Sequence, residues 1–249
     1  SFYMREMEVL RKDLAALSGR PVTDAMLNAS IAVYNENRKA IRELYAYRAQ
    51  NPWQAPTSEM YLVLRAGCVL PPEEHTVLVR QYLAETEKQN RPKRDNARVV
   101  LTGSFCEQPP LGLIKSIEMA GCYVVDDDFQ LIQSWLLDEV PATGNPLEEL
   151  SKAFLHRSAS TASKYDVKKE DKGQFLLHQV KTRGAEGVIF AAPSFCDPAL
   201  LERPMLQEIL ARHKIPYTAF KYAENTGQMA PIREQAGTFA DSIKLWSAA

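Results

Sequence analysis

Cys196 has the surroundings that point most directly to chemistry. Residues 188–191 form a short, continuous apolar run, which is typical of a strand buried on both faces. Pro193 ends that strand because proline has no amide hydrogen, and Asp197 and Pro198 then suit the N-cap and first residue of a helix. Cys196 is thus predicted at the carboxyl end of a parallel strand, where ligands bind and a helix dipole favours a thiolate. A single cysteine in such a loop can also be a packing residue.

Three further residues are predicted at the same edge of the sheet. Ser104 and Cys106 follow a predicted strand at 98–102, and Gln228 lies beyond a predicted strand at 216–220. Because the carboxyl ends of parallel strands meet at one edge, these side chains are candidates for the lining of a ligand cleft. A tight turn is the alternative for Ser104, and packing is the alternative for Cys106.

Several other polar groups favour structural roles. The three aspartates at 126–128 could bind a metal ion or a substrate, but a capped turn into the next helix is the favoured interpretation. A basic segment before the first strand fits a solvated linker better than a phosphate site. Its members are Lys88, Arg91, Lys93 and Arg94. The histidines fall in or beside predicted helices, which favours surface or capping roles. They are His75, His156, His178 and His213.

Composition narrows the class of protein. The chain has 249 residues, of which 45% are hydrophobic, and a net charge of −1, which argues against a general nucleic-acid or anionic-membrane binder. No apolar run approaches the roughly 20 residues of a membrane span. The four cysteines form no Cys-x-x-Cys pair, so a reducing cytoplasm is expected, with Cys68 and Cys122 packed in a helix and a strand. Neither a dinucleotide fingerprint nor an ATP-binding loop is present.

The pattern of apolar residues predicts an α/β fold. Residues 1–95 form a helical connecting region, including a long helix capped by Thr23, and residues 96–249 form a Rossmann-like domain. Strands alternate with helices there, so we expect a four-stranded parallel, flavodoxin-like sheet covered by helices, in the order 2-1-3-4. The predicted strands are 98–102, 122–125, 187–191 and 216–220. The predicted helices of this region include 129–138, 146–156, 168–183, one after Cys196 that kinks or restarts at Pro204, and one from about Pro231 to Trp246.

Taken together, several segments resemble the benzoyl-CoA reductase/2-hydroxyacyl-CoA dehydratase family. Their order and spacing carry the resemblance, which covers nearly the whole chain, and the last segment is most similar to the ATP-dependent benzoyl-CoA reductases. The segments are LTGSFCEQPP (101–110), IEMAGCYVVDDD (117–128), FCDPALLERP (195–204), HKIPY (213–217), ENTGQ (224–228) and IREQAGTFADSIKLW (232–246).

This resemblance implies a function and a set of partners. Subunits of the family have two Rossmann-like domains with a 4Fe-4S cluster between them, held by three cysteines, and Cys196 matches the third. They act on benzoyl-CoA or related acyl-CoA as a pair of homologous catalytic subunits, and separate ATP-hydrolysing activator subunits supply electrons. We expect these 249 residues to lack a counterpart of the first domain, and therefore to fold alone but to bind no stable cluster. A 2-hydroxyacyl-CoA dehydratase subunit and a cluster-free flavodoxin-like scaffold are the alternatives.

Overall fold

The computed structural model describes residues 2–103, 109–129, 138–156, 173–223 and 229–247. The order of elements in this part of the chain is four helices followed by alternating strands and helices. The elements are α1 (Phe2–Ser18), α2 (Asp24–Gln50), α3 (Thr57–Ala66), α4 (Pro72–Glu87), β1 (Ala97–Thr102), α5 (Leu111–Met119), β2 (Cys122–Asp127), α6 (Pro146–His156), α7 (Gln174–Arg183), β3 (Gly187–Pro193), α8 (Asp197–Arg212), β4 (Tyr217–Tyr222) and α9 (Met229–Ser247).

The first four helices begin and end where local chemistry predicts. The Thr23 hydroxyl accepts a hydrogen bond from the Met26 amide and caps α2, and Asn51 ends that helix. Pro72 lies in the first turn of α4, where its missing amide hydrogen costs nothing. The predicted helical content of residues 1–95 is confirmed for the described residues, whereas the domain boundary at 95/96 stays a prediction.

The sheet has the predicted topology. All strand pairs are parallel and the order is β2-β1-β3-β4. Each strand overlaps its predicted place, although β2, β3 and β4 each continue two residues further than the apolar pattern indicates, and β4 begins one residue later. The first three strands are almost entirely buried because helices cover both faces.

Alternate side chains of the strands form two cores. Val99 and Leu101 of β1 and Ile189 of β3 face a core that also contains residues of α2, α3, α5 and α9. Val100 of β1 and Val188 of β3 face the opposite side and pack against α7 and α8. The sheet thus lies between two layers of helices. The loops at its carboxyl edge follow directly from buried strands.

Some sequence-based expectations about the helices are wrong in detail. Cys196, rather than Asp197, is the N-cap of α8, and Pro198 is its second residue. α8 continues through Pro204 instead of restarting there. α9 and the helix at 146–156 are confirmed. The helix predicted at 168–183 is α7, which begins at Gln174 in the structure, and residues 168–172 lie outside the described residues. Of the helix predicted at 129–138, residues 130–137 also lie outside the described residues.

Two residues have environments that the sequence does not indicate. His75 is fully buried, not at the surface, because its ring lies between Asn37 of α2 and the Val63 carbonyl of α3. Cys68 is exposed in the turn that follows α3, so its predicted packing role is wrong. In the part of the chain that the structure describes, no helix has the length and hydropathy needed to cross a membrane.

Candidate functional site at the carboxyl edge of the sheet

The turn from β3 into α8 fixes the position of Cys196. The Cys196 amide donates to the Pro193 carbonyl at 3.1 Å, which closes a four-residue turn. The Cys196 carbonyl accepts from the Leu200 amide at 3.1 Å and so starts the hydrogen bonds of α8. Its side chain is 4% exposed and packs with Ala192 and Ala199. The predicted location at a strand end and a helix start is thereby confirmed.

Ser194 joins this turn to the neighbouring strand. Its amide donates to the Tyr222 carbonyl at 2.8 Å, and its hydroxyl donates to the same oxygen at 2.9 Å. Tyr222 is the last residue of β4 and is completely buried. Two donors on one rigid acceptor therefore hold the turn against the sheet, while the next side chain, Phe195, is 95% exposed.

Asp128 joins the ends of β2 and β1 at the same edge. Its carboxylate accepts from the Thr102 hydroxyl at 2.5 Å and from the Gly103 amide at 2.8 Å. Gly103 has φ +110°, and a Cβ atom there would lie 2.9 Å from the Ala191 carbonyl oxygen of β3. The absence of a side chain thus lets the end of β1 lie directly on β3.

The other two aspartates of the run lie in β2, where they hold helices to the sheet, rather than wholly in the predicted turn. Asp127 also accepts a hydrogen bond from the Phe129 amide at 3.1 Å, as the predicted capped turn requires, and residues 130–137 of the helix predicted to follow lie outside the described residues. Asp126 pairs with Arg183 of α7 at 2.9 Å, and Asp127 pairs with Arg48 of α2 at 2.7 Å. Tyr45 donates a further hydrogen bond to Asp127 at 3.0 Å. Burial raises the pKa of Asp127, and the neighbouring Arg48 cation opposes that rise. These pairings let two acidic residues remain inside the strand.

The remaining predicted site residues and cysteines differ in where they lie. Ser104, Cys106 and Gln228 lie outside the described residues, so their shared location with Cys196 stays a prediction. Cys122 is buried in the core, as expected, and burial raises the pKa of its thiol to about 12. Sequence reasoning misses the roles of Arg48 and Ser194, because neither an arginine within a helix nor a serine in a turn carries a local signal of its partner.

The iron–sulfur cluster implied by the resemblance would find one thiol at this edge among the described residues, which do not form a complete cluster site. No group of three or more histidine, cysteine or acidic side chains converges on a possible metal position within the described ranges. A 4Fe-4S cluster is ordinarily held by four ligands, mostly thiolates. The position of Cys196 suits one such ligand, and any others would have to come from outside the described residues.

A cavity of about 420 Å³ lies at the opposite edge of the sheet. Its lining includes part of the basic segment, Lys93 and Arg94, and the aromatic residues Trp53 and Tyr123. Lys93 lies over the Trp53 ring at 4.9 Å, whereas Arg91 pairs with Glu59. The carboxyl ends of helices point to this edge, and Arg98 donates there to the carbonyls of residues 49, 183 and 184. The Arg98 cation thus satisfies the unpaired carbonyls and the partial negative charge at the carboxyl ends of helices. A structural role for the cations of this edge is therefore favoured over anion binding.

The chain is similar to proteins that are named for acyl-CoA thioesters. It is 60% identical to a benzoyl-CoA reductase subunit of Thauera aromatica over 247 residues, which are 99% of this chain and 64% of that protein. It is 27% identical to the (R)-phenyllactyl-CoA dehydratase beta subunit of Clostridium sporogenes, over 98% of this chain and 63% of that protein. It is 28% identical to the (R)-2-hydroxyglutaryl-CoA dehydratase beta subunit of Acidaminococcus fermentans, over 92% of this chain and 61% of that protein.

The chain spans slightly less than two thirds of the length of these relatives. All of them are named as subunits, so they belong to assemblies of several chains. The family model described as 2-hydroxyglutaryl-CoA dehydratase, D-component, matches residues 1–243, which is nearly the whole sequence. The predicted resemblance is therefore confirmed, and the chain belongs to the 2-hydroxyglutaryl-CoA dehydratase D-component family.

Proposed function

We propose that the chain is part of a catalytic subunit of an ATP-driven benzoyl-CoA reductase. The observation that supports this best is the 60% identity to the benzoyl-CoA reductase subunit of Thauera aromatica, maintained over 99% of the chain. Identities to the two dehydratase beta subunits are less than half as high, at 27% and 28%. The reductase is thus favoured over its relatives within one family.

The proposed reaction is a two-electron reduction of the aromatic ring. Benzoyl-CoA takes up two electrons and two protons and becomes a cyclic diene thioester. A 4Fe-4S cluster, when bound, would transfer low-potential electrons and act as a Lewis acid. We assign Cys196 as one ligand of that cluster, and we retain Ser104, Cys106 and Gln228 as candidate cleft residues.

The proposed partners follow from the same assignment. A homologous second catalytic subunit would share the acyl-CoA substrate, and separate activator subunits would hydrolyse ATP and deliver electrons. This division of labour is consistent with a sequence in which no ATP-binding loop occurs. We further propose a cytoplasmic location, in keeping with cysteines that form no disulfide among the described residues.

Electron stoichiometry in the assembled enzyme tests the proposal. The complex is supplied with ATP, a low-potential reductant and either benzoyl-CoA or a 2-hydroxyacyl-CoA. A reductase consumes two electrons for each diene thioester formed and leaves the hydroxyacyl thioester unchanged. Dehydration of the hydroxyacyl thioester with only catalytic amounts of reductant, and no ring reduction, would overturn the assignment.

A 2-hydroxyacyl-CoA dehydratase is the second candidate, because the matching family model and two of the relatives are named as dehydratases. In such an enzyme the electron is returned after each turnover, so reductant is not consumed with product. The two thioesters and the electron count therefore separate the candidates in a single series of assays. A scaffold without a cluster would show neither activity.

A further inference from the structure

We propose that Ser194 is a positioning residue for the Cys196 thiol, an inference that rests on the proposed role of Cys196 as a cluster ligand. The Ser194 hydroxyl is a side-chain donor that ties the turn at 193–196 to β4. Its role is to restrict the movement of the turn, and so to fix where the sulfur lies.

The geometry supports this role because the turn is held at both ends. At one end, the Ser194 amide and hydroxyl donate to the Tyr222 carbonyl at 2.8 and 2.9 Å. At the other end, the Cys196 amide donates to the Pro193 carbonyl, and the Cys196 carbonyl accepts the first helical hydrogen bond of α8. The thiol is thus held between a rigid strand end and a rigid helix start.

The hydroxyl is separable from the fold itself. Replacing Ser194 by alanine leaves the amide hydrogen bond to Tyr222, so the strand end and the turn remain. The hydroxyl contributes a second donor to the same acceptor, and losing it should make local opening of the turn about fivefold more frequent. The more frequent opening should be confined to Cys196 and its neighbours, and the free energy of global unfolding should change little.

Two measurements test the proposal with the complete enzyme and its cluster-free subunit. In the reduced holoenzyme, we follow the electron paramagnetic resonance spectrum and the rate at which a chelator removes iron. In the cluster-free subunit, we follow alkylation of Cys196 by iodoacetamide with peptide mass spectrometry, which distinguishes it from the exposed Cys68. Alkylation does not depend on the cluster, so it reports on the turn alone.

We expect Ser194→Ala to release iron and to react at Cys196 about fivefold faster, with an altered spectrum. Ser194→Thr retains a hydroxyl and should restore wild-type behaviour. Ser242→Ala is the matched control, because it removes another partly buried hydroxyl bonded to a backbone carbonyl, that of Phe239 at 2.7 Å, on α9. It should change neither rate.

The outcomes separate this inference from the function on which it rests. Normal iron content in Cys196→Ser would overturn the ligand assignment and, with it, the role of Ser194. If Cys196→Ser loses iron while Ser194→Ala matches the wild type in spectrum, iron release and alkylation, the ligand stands and the positioning role is wrong. Equal changes in Ser194→Ala and Ser242→Ala would also overturn it.

Discussion

The Asp128 carboxylate accepts a hydrogen bond from the Gly103 amide at 2.8 Å and so joins the residues that follow β2 and β1. Gly103 in turn lies against Ala191 of β3, and Ser194 donates to the last carbonyl of β4. Contacts thus run across all four strand ends in their order in the sheet. The loops of the carboxyl edge start from points that are fixed relative to one another.

Gly103 should be intolerant of a side chain. Its φ of +110° is rarely adopted by other residues, and an added Cβ would lie 2.9 Å from a backbone oxygen that cannot move away cheaply. We expect Gly103→Ala to lower the free energy of unfolding by roughly 1–3 kcal/mol, measured by urea denaturation.

Gly112→Ala provides the control for this substitution. Gly112 lies in α5, and a Cβ added there meets nothing within 4 Å. Alanine is the better helix former, although the gain is smaller in the first turn than in a helix interior, so this variant should be as stable as the wild type or more so. If Gly103→Ala left the free energy of unfolding unchanged, the contact with Ala191 would have room for a side chain and the prediction would be wrong.

The buried pair between Arg48 and Asp127 should be essential for holding α2 to the sheet. Both side chains are 1% exposed, so removing one partner leaves a charge without compensation inside the protein. We expect Arg48→Met to cost about 3–5 kcal/mol in the free energy of unfolding, measured by urea denaturation.

An exposed ion pair serves as the reference for this prediction. Arg80 and Glu36 lie 2.9 Å apart, but their side chains are 53% and 58% exposed, so solvent screens their attraction. Arg80→Met should therefore cost only about 0–1 kcal/mol. Equal losses of unfolding free energy in the Arg48 and Arg80 variants would show that burial does not increase the contribution of the Arg48–Asp127 pair to stability.

His75 should make the protein sensitive to mild acid. Burial lowers the pKa of His75 from its ordinary value of 6.5, and the neutral ring is satisfied by Asn37 and the Val63 carbonyl. Because the unfolded chain takes up the proton first, the stabilising contribution is complete above pH 6.5 and is lost as pH falls below it. Between about pH 7.5 and about pH 5.5 the free energy of unfolding should fall by up to about 1.4 kcal/mol from this group.

Urea denaturation at the two pH values checks this prediction. His75→Gln should be less stable than the wild type at the higher pH but should show a smaller fall on acidification. His213→Gln, at the exposed end of α8, should retain the fall that the wild type shows. An unchanged fall in His75→Gln would mean that His75 is not responsible.

Most of the scaffold is predictable from the sequence because the signals for it are local. Apolar runs place β1, β2 and β3, and the position of Cys196 between a strand and a helix follows from Pro193 and its neighbours. A turn is the natural prediction for Asp126 and Asp127, since a charged residue in a strand depends on partners that are distant in sequence. Those partners come from α2 and α7. Likewise, nothing near His75 predicts that two helices enclose it.

Residues 1–249 alone should fold without acquiring a stable cluster. In the described residues Cys196 is the cysteine at the carboxyl edge, whereas Cys122 is in the core and Cys68 is exposed elsewhere. One thiolate cannot hold a four-iron cluster. After anaerobic incubation with iron and sulfide and then desalting, we expect little bound iron and no visible cluster absorption. A stoichiometric cluster would point to Cys106 as a further ligand, and to a ligand set different from the one proposed.

The iron content of the assembled enzyme carrying Cys196→Ser tests the central claim most directly. The claim is that Cys196 is a cluster ligand, so this variant should lose most of the iron of its subunit's cluster and nearly all thioester reduction. Cys68→Ser, which changes an exposed thiol in a turn, should keep both. Normal iron content and normal reduction in Cys196→Ser would contradict the claim and leave Cys196 as a packing residue.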